Sequence, residues 1–375
     1  MYFRRQIQSR IEKSFFTGRA IIIYGPRQVG KTTLLKNMLE SHKDKAIYLN
    51  CDEPDIKLAL TEKTSTELRL LIGENKIVAI DEAQRVKNIG LTIKLIVDTY
   101  PEIQVIATGS SSFELSNIVK EPLTGRKIEF HLYPISLSEL NQAYSRIELS
   151  RIIENLLRFG SYPKVLTSPL TEMAQIINEV SESYLYKDIL EYQQLKKTDL
   201  LQKLLQALAL QVGSNVAYSE LANLLKVDKD TIERYVKLLE QSFIIFVLPP
   251  FSRNLRKEIG KTRKIYFWDT GIRNSIINNF NPINLRNDIG MLWENFVISE
   301  RMKSNSNHGT SVNYYFWRTY DKKEIDLIED ANGLINGYEI KWKKDKYSPP
   351  KEFLNAYTAS SVKLINKDNF LDFLG

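Results

Sequence analysis

Only one cysteine, Cys51, occurs in the 375 residues, so no disulfide can form within the chain. The histidines are as sparse: His42, His131 and His308 lie far apart, which leaves none of the closely spaced Cys/His ligands that structural zinc sites use. Long apolar runs are missing too. The longest, Phe243 to Leu248, falls well short of the roughly 20 residues that cross a bilayer. The opening MYFRRQIQSRIEK is charged but has no apolar segment behind it, unlike a secretory leader. Together these absences lead us to expect a reducing, cytoplasmic setting and no membrane partner. No stretch rich in Pro, Gly or Ser separates one part of the chain from another, so its units are expected to pack closely.

What is present suits a globular protein of several units. Apolar residues make up 43% and charged residues 26%, enough to bury sizeable cores over a length that exceeds one ordinary domain. The 52 basic against 45 acidic residues give a net charge of +7, compatible with nucleic-acid contact but shared by many enzymes.

From Ala20 to Tyr133, short apolar runs (AIIIY, AIYLN, KIVAIDE, IQVIATGS) alternate with helix-like stretches. Runs apolar on both faces are the mark of strands buried in a parallel sheet, so an α/β unit is expected here. From about Ser136 to Leu210, apolar residues recur three and four apart, the pattern of helices. The segment SELANLLKVDKDTIERYVKLLEQ then reads as helix, turn, helix and leads into FIIFVLPPF, an order resembling a winged helix. From Ile265 onward, KIYFWDTG, GMLWENFVISERMK, VNYYFWR, KEIDLIED and GYEIKW suggest a further α/β unit.

The stretch GPRQVGKT, Gly25 to Thr32, follows an apolar strand and opens a helix, and it fits G-x-x-x-x-G-K-[ST] at every fixed position. Its glycines allow main-chain amides to turn inward around phosphates, so Gly25, Pro26, Arg27, Gln28, Val29, Gly30, Lys31, Thr32 and Thr33 are the candidate nucleotide cradle. Lys31 is expected to reach the β- and γ-phosphates of ATP, and the Thr32 hydroxyl to ligate Mg²⁺. The strand KIVAIDEAQ ends in Asp81, a second candidate magnesium ligand, followed by Glu82 as candidate base for the attacking water. Ser110, after QVIATG, is a candidate for sensing the γ-phosphate, and a Ser-rich turn is the alternative. Arg126, in LTGR, is a candidate charge-stabilising arginine acting in cis or from a neighbouring subunit of a homo-oligomer, or else a surface residue.

YGPRQVGKTTLL, IDEAQ, ATGSSS, LTGR and LYPISLSEL, with FGSYPKV, SYLYKDI, KIYFWDTG and WENFV later on, resemble the prokaryotic AAA-type P-loop ATPases whose C-terminal half is a domain of unknown function. The resemblance extends over nearly the whole chain and implies ATP and Mg²⁺ as ligands. It leaves the purpose of the C-terminal half open.

In the helix-turn-helix segment, Asp228 is placed to cap KDTIERYVKLLE, with Ile232, Val236 and Leu239 turned inward. Lys229, Arg234 and Lys237 are offset by Asp230, Glu233 and Glu240, so the helix is either a reader of nucleic acid or a packing element. The following SRNLRKEIGKTRK, from Ser252 to Lys264, holds six basic residues against one acid and could lie along the phosphates of DNA or RNA, or be solvated surface.

KEIDLIEDANGLINGYEIKW reads as a hairpin turning at EDANG. Alternation puts Glu324 and Asp326 on one face with Ile325 and Leu327 opposite, and Glu339 with Lys341 on one face of the second strand. This arrangement resembles the PD-(D/E)xK nuclease core, with Asp326, Glu339 and Lys341 at the matching positions and Glu294 on the preceding helix as a further acid. The resemblance implies a second Mg²⁺ site. A charged, solvent-facing hairpin is the other reading.

The expected organisation is α/β throughout: a P-loop NTPase core with a parallel sheet over 1–135, a helical lid over 136–198, a winged helix over 199–264 and a restriction-endonuclease-like unit over 265–375. Two functions fit. One is an ATPase that gates a nucleic-acid enzyme; the other is a nucleotide-controlled switch whose C-terminal half binds DNA, RNA or a protein without cutting.

Overall fold

The computed structural model describes residues 2–109, 122–193, 198–251, 262–319, 321–343, 346–357 and 360–374, with backbone alone for the helical residues 184–193 and 198. Three sheets organise it. The first is parallel, with strands β1 (Ala20–Tyr24), β2 (Ala46–Asn50), β3 (Ile77–Asp81), β4 (Gln104–Gly109) and β5 (Lys127–His131) in the order β2-β3-β4-β1-β5. β1, β3 and β4 are buried at every residue, as their unbroken apolar runs require. The run-based reading has no counterpart for β5. Its Lys-Ile-Glu-Phe-His alternates because it is an edge strand with one wet face.

The topology puts all five strand ends on one side. Helix α1 (Lys31–Glu40) starts at the last two residues of the phosphate-loop sequence, and β4 lies between β1 and β3. The end of β4 is thereby held between the loop and Asp81.

The middle of the chain is helical. α2 (Arg146–Phe159) starts with a capping box, the Ser145 hydroxyl accepting from the Glu148 amide, and α3 (Met173–Gln193) and α4 (Thr198–Leu210) follow. A three-stranded antiparallel sheet comes next, with β6 (Asn215–Ala217), β7 (Ile245–Leu248) and β8 (Thr262–Phe267) in the order β6-β8-β7. Between β6 and β7 lie α5 (Tyr218–Leu225) and α6 (Lys229–Gln241), the latter capped by Asp228, which accepts from the Thr231 amide at 2.6 Å.

The expected boundary after residue 264 is corrected by this sheet. β8 runs through it, and Ile265, Tyr266 and Phe267 pair with β7. KIYFWDTG therefore completes the middle unit, and α7 (Thr270–Ile276) continues it by packing on α2 and α3. The signatures FGSYP and WDTG clasp each other. Asp269 caps α7 through the Ile272 amide (3.0 Å) and accepts the Ser161 amide (2.8 Å). A Cβ on Gly160, whose φ is +77°, would come within 2.0 Å of the Asp269 carboxylate, so only glycine permits this approach.

Helix α8 (Ile289–His308) opens the C-terminal unit. Its sheet contains β9 (Asn313–Arg318), β10 (Glu324–Ala331), β11 (Leu334–Ile340) and β12 (Ser360–Ile365) in the order β12-β11-β10-β9, with β12 parallel to β11 and α9 (Lys351–Ala356) between them in sequence. A bulge between Ile325 and Ile328 breaks the expected alternation. As a result Ile325 and Ile328 share one apolar cluster with Phe251, Trp317 and Phe353, whereas Leu327 joins the main core.

One apolar core runs from Phe3 to Leu374, as the absence of linkers implies. The middle unit is tied to the C-terminal sheet beyond β7, where the Phe251 amide donates to the Phe316 carbonyl (2.7 Å) and the Phe316 amide to that of Pro249 (3.1 Å).

Candidate nucleotide site and a carboxylate cluster

The first glycine of the phosphate loop is fixed by packing: a Cβ on Gly25 would lie 2.2 Å from the Leu132 carbonyl oxygen. Gln28 is held in the left-handed region at φ 61°, and Gly30, at φ 96°, leads into α1. Val29 is buried, Arg27 half-buried, and Gln28 and Thr33 face solvent. The Lys31 ammonium is buried and donates to the loop carbonyls of Gly25 (2.9 Å) and Pro26 (3.0 Å).

Opposite the loop, Asp81 gathers three hydroxyls. Thr32 Oγ1 donates to its Oδ2 at 2.6 Å, Tyr48 Oη donates to the same oxygen at 2.7 Å, and Thr108 Oγ1 donates to Oδ1. Thr108 in turn accepts the Glu82 amide at 3.2 Å. Glu82 adopts φ 52° and ψ 42°, a left-handed conformation that costs a non-glycine residue on the order of 1 kcal/mol, and its carboxylate accepts from Gln84 Nε2 at 2.6 Å. Burial beside Asp81 pushes the Tyr48 phenol well above its usual range.

Thr108 and Tyr48 were not singled out from the sequence. Thr108 sits inside ATGSSS, two residues from the chosen serine, whereas nothing local marks Tyr48. Ser110 lies outside the described residues.

A cavity of about 180 Å³ adjoins the loop, lined by Tyr2, Phe3, Val29, Thr33, Ile135 and Pro163, among others. Behind the loop, the buried Arg5 donates to the carbonyls of Val29 (2.9 Å) and Tyr133 (2.6 Å) and pairs with Glu139 at 2.9 Å.

For Arg126 the geometry bears only on action within its own chain. The Ala20 amide donates to its carbonyl, so it lies where β1 begins, while the phosphate loop follows the end of β1. Its guanidinium pairs with Asp98 at 2.5 Å. The length of the strand separates it from the loop of its own chain.

The C-terminal candidates do come together, but around a lysine. Lys264, on β8, is 1% exposed; its ammonium lies 3.0 Å from Glu294 Oε1 and 3.4 Å from Asp326 Oδ1, and it also contacts Glu324 Oε1. Lys341 bridges Asp326 Oδ2 and Glu339 Oε1, both at 3.0 Å. Tyr266 Oη donates to Glu294 Oε1 at 2.6 Å, and the Ile340 amide to Asp326 Oδ2 at 2.9 Å. Burial, reinforced by Asp326, raises the Glu294 carboxyl to about 7. Burial works against the Lys264 charge but is outweighed by Glu294, Tyr266, Asp326 and Glu324, which hold its pKa well above the ordinary value.

The expected second Mg²⁺ site is therefore not formed as anticipated: among the described residues, no three acidic, His or Cys side chains are grouped to hold a metal. The view of Lys264 as part of a phosphate-facing run is corrected as well. It is buried, and its neighbour Arg263 lies over the Tyr218 ring at 4.6 Å. Residues 252–261 of that run lie outside the described residues. Among the described residues, no helix is long and apolar enough to cross a membrane.

Comparison with known proteins divides the chain similarly. Residues 17–141 match the family model of an AAA domain, and 150–282 and 289–370 match two domains of unknown function, DUF8612 and DUF4143. An uncharacterized protein of Mycobacterium tuberculosis is 25% identical over 342 residues, 90% of this chain and 74% of its own. Another, from Methanocaldococcus jannaschii, is 25% identical over 354 residues, 89% of this chain and 78% of its own. Among solved structures, the RuvB Holliday junction branch migration motor of Thermotoga maritima is similar with a TM-score of 0.32 and 16% identity, over 67% of this chain and 88% of that one. AMPPCP-bound DnaA from Aquifex aeolicus gives 0.30 and 17%, over 63% and 86%. The family match by itself assigns residues 17–141 to an AAA domain of the P-loop type.

Proposed function

We propose that this protein is an AAA-type ATPase that binds ATP at GPRQVGKT, hydrolyses it, and passes its nucleotide state to a restriction-endonuclease-like C-terminal unit through helix α8. The observation that carries the first part is the Thr32–Asp81 hydrogen bond, which joins the loop to the acidic strand end at 2.6 Å. A hydroxyl and a carboxylate so placed are hard oxygen donors that fit Mg²⁺. The ion, when bound, supplies charge neutralisation on the phosphates.

This chain's own groups do the remainder. The main-chain amides of residues 27–33, at the loop and the start of α1, cradle the phosphates, and the Lys31 ammonium exchanges its two loop carbonyls for phosphate oxygens. Thr108 and Tyr48 orient Asp81. Glu82 accepts the proton of the attacking water. The cavity beside Phe3 and Pro163 receives the base.

Coupling is supported by a continuous set of polar contacts. Arg5 links Val29 of the loop to Glu139. Within the same turn, the Leu137 amide donates to Glu300 at 2.5 Å, and Asn307 donates to Ser136 at 3.2 Å; both partners are on α8. Arg10 holds the carbonyls of Ser306 and Asn307. The other end of α8 carries Glu294. A helix fastened at one end to the ATPase and at the other to the carboxylate cluster can transmit a rigid-body shift.

The order α4, β6, α5, α6, β7, β8 supports a winged helix, with DNA or RNA as its partner. On α6 the exposed Lys229, Arg234 and Lys237 are offset by the exposed Asp230 and Glu233 together with the partly buried Glu240, so we assign that helix to packing and leave contact with DNA or RNA to the rest of the unit. The order α8, β9, β10, β11, α9, β12 supports the endonuclease-like reading. The contact of Lys264 with the cluster favours a second reading, a nucleotide-controlled switch whose C-terminal unit binds without cutting.

The test is Glu82→Gln. It is expected to bind Mg-ATP normally while turnover falls by about a hundredfold or more. Wild-type turnover in this variant removes Glu82 from its role. A wild-type chain that gives no heat with Mg-ATP removes the proposal altogether.

A further inference from the structure

The carboxylates of Glu294, Glu324 and Asp326 come from two elements of the C-terminal unit, yet the cation between them comes from the middle unit. Carboxylate oxygens are the donors that divalent cations take, but with the ammonium between them these three are not grouped as a metal site. An ammonium is a poor lodger in a protein interior unless several carboxylates surround it, because desolvation costs several kcal/mol per ion. Lys264 satisfies that condition, with Phe316 covering its other side at 5.9 Å.

Its position is fixed by the backbone and not only by its rotamer. β8 is the central strand of its sheet, and Lys264 pairs with Asn215 on one side and Leu248 on the other. One residue along α8 from Glu294, Asn295 grips the end of β8 with both amide atoms: its Oδ1 accepts the Phe267 amide (2.7 Å) and its Nδ2 donates to the Phe267 carbonyl (2.8 Å). Tyr266 adds a third bond to Glu294. With β8 held in this way, the Lys264 main chain cannot withdraw from the cluster unless β8 comes away from α8.

We infer that Lys264 is a built-in substitute for a divalent cation, carried by β8 into the Glu294/Glu324/Asp326 cluster and closing it to metal for as long as β8 is docked on α8. The inference rests on the endonuclease-like reading for the identity of the excluded ion. It supplies that reading with its regulation: the cluster opens only when the middle unit is displaced, and α8, anchored to the ATPase through Glu300 and Asn307, is the element that would displace it. It also explains why the sequence pattern of a metal site coexists here with the absence of a metal-holding group among the described residues.

The test uses the full chain, free of nucleotide, with Mn²⁺ as probe. Free Mn²⁺ is followed by electron paramagnetic resonance. Lys264→Met keeps the buried stem and removes the charge. It is expected to bind one more Mn²⁺ per chain than wild type, about tenfold tighter or better. Lys264→Met combined with Asp326→Asn is expected to lose that gain.

A folded Lys264→Met chain that still binds ATP but shows no gain in Mn²⁺ overturns the inference. The wild-type chain provides a measurement that does not depend on the variant folding: nucleotide-free wild type that binds Mn²⁺ in an Asp326-dependent way also overturns it. Incubation with DNA and RNA separates this idea from the nuclease reading. A Lys264→Met chain that gains Mn²⁺ but cuts nothing upholds the substitute cation and removes cleavage. Nucleotide-free wild type that cuts in an Asp326-dependent way does the reverse.

Discussion

Thr32 Oγ1 lies 2.6 Å from Asp81 Oδ2, so the helix that follows the phosphate loop and the strand that ends in the acidic pair are joined directly. Thr32→Val removes one oxygen donor without changing shape. Affinity for Mg-ATP is expected to fall by roughly ten- to a hundredfold, the worth of a hydrogen bond to a charged group, with affinity for magnesium-free ATP unchanged. Fluorescent-nucleotide titrations with and without Mg²⁺ distinguish this from general damage to the loop, which would weaken both.

Tyr48 reaches the same Asp81 oxygen from β2 at 2.7 Å. Tyr48→Phe deletes one of three hydroxyls around the carboxylate. A three- to tenfold loss of magnesium-dependent turnover is expected, in line with about 1 kcal/mol for a neutral donor. Unaltered turnover at limiting Mg²⁺ would show that Tyr48 packs against Asp81 without positioning it.

Arg126 is expected to be dispensable within its own chain, since it pairs with Asp98 where β1 begins. An exposed pair of this kind stabilises by about 0–1 kcal/mol, so Arg126→Ala should melt close to wild type and hydrolyse ATP at the wild-type rate in dilute solution. A loss of turnover that emerges only at high protein concentration would identify Arg126 as a group supplied to a neighbouring subunit.

Arg5 and Glu139 form a buried pair, 4% and 0% exposed at their side chains. Arg5→Met leaves the Glu139 carboxylate buried without its cation and is expected to destabilise by about 3–5 kcal/mol. Adding Glu139→Gln should recover part of the loss in thermal unfolding. If Arg5→Met alone melts like wild type, the arm does not hold the loop and the proposed coupling loses its first link.

Glu240 offers a pH signature. Burial raises its carboxyl from 4.5 to about 7, opposed by the Val247 amide, Arg263 and Lys237. Between those values the folded state holds more protons than the unfolded state, so this group stabilises at low pH and its contribution is lost as pH rises toward 7. Glu240→Gln should flatten that part of the profile. Calorimetric melting at pH 5 and pH 8 checks it; a wild-type midpoint that rises over this interval relative to the variant contradicts the assignment.

The candidate nucleotide site was legible because its parts are local. A loop whose glycines sit five residues apart, and an apolar strand ending in Asp-Glu, each declare themselves within ten residues. β5 escaped notice because an edge strand alternates where an interior strand is uniformly apolar. The boundary after residue 264 failed for a related reason: KIYFWDTG follows a basic stretch, and only its pairing with β7 shows where it belongs. Tyr48 carried no sequence signal at all, because its partner is 33 residues away on the neighbouring strand.

Apolar rhythm, glycine spacing and the order of acidic residues were enough, in one dimension, to specify a loop of the phosphate-binding pattern and a hairpin rich in carboxylates, since these depend on contacts a few residues apart. Which cation stands among the carboxylates was decided in three dimensions. Lys264 and Asp326 are 62 positions apart in the chain and belong to different sheets, and they meet only because Asn295 and the Pro249–Phe251 segment lock those sheets together. A lone lysine in a basic run looks solvated until its strand is docked, and docking depends on the summed burial of a core that no local pattern reports.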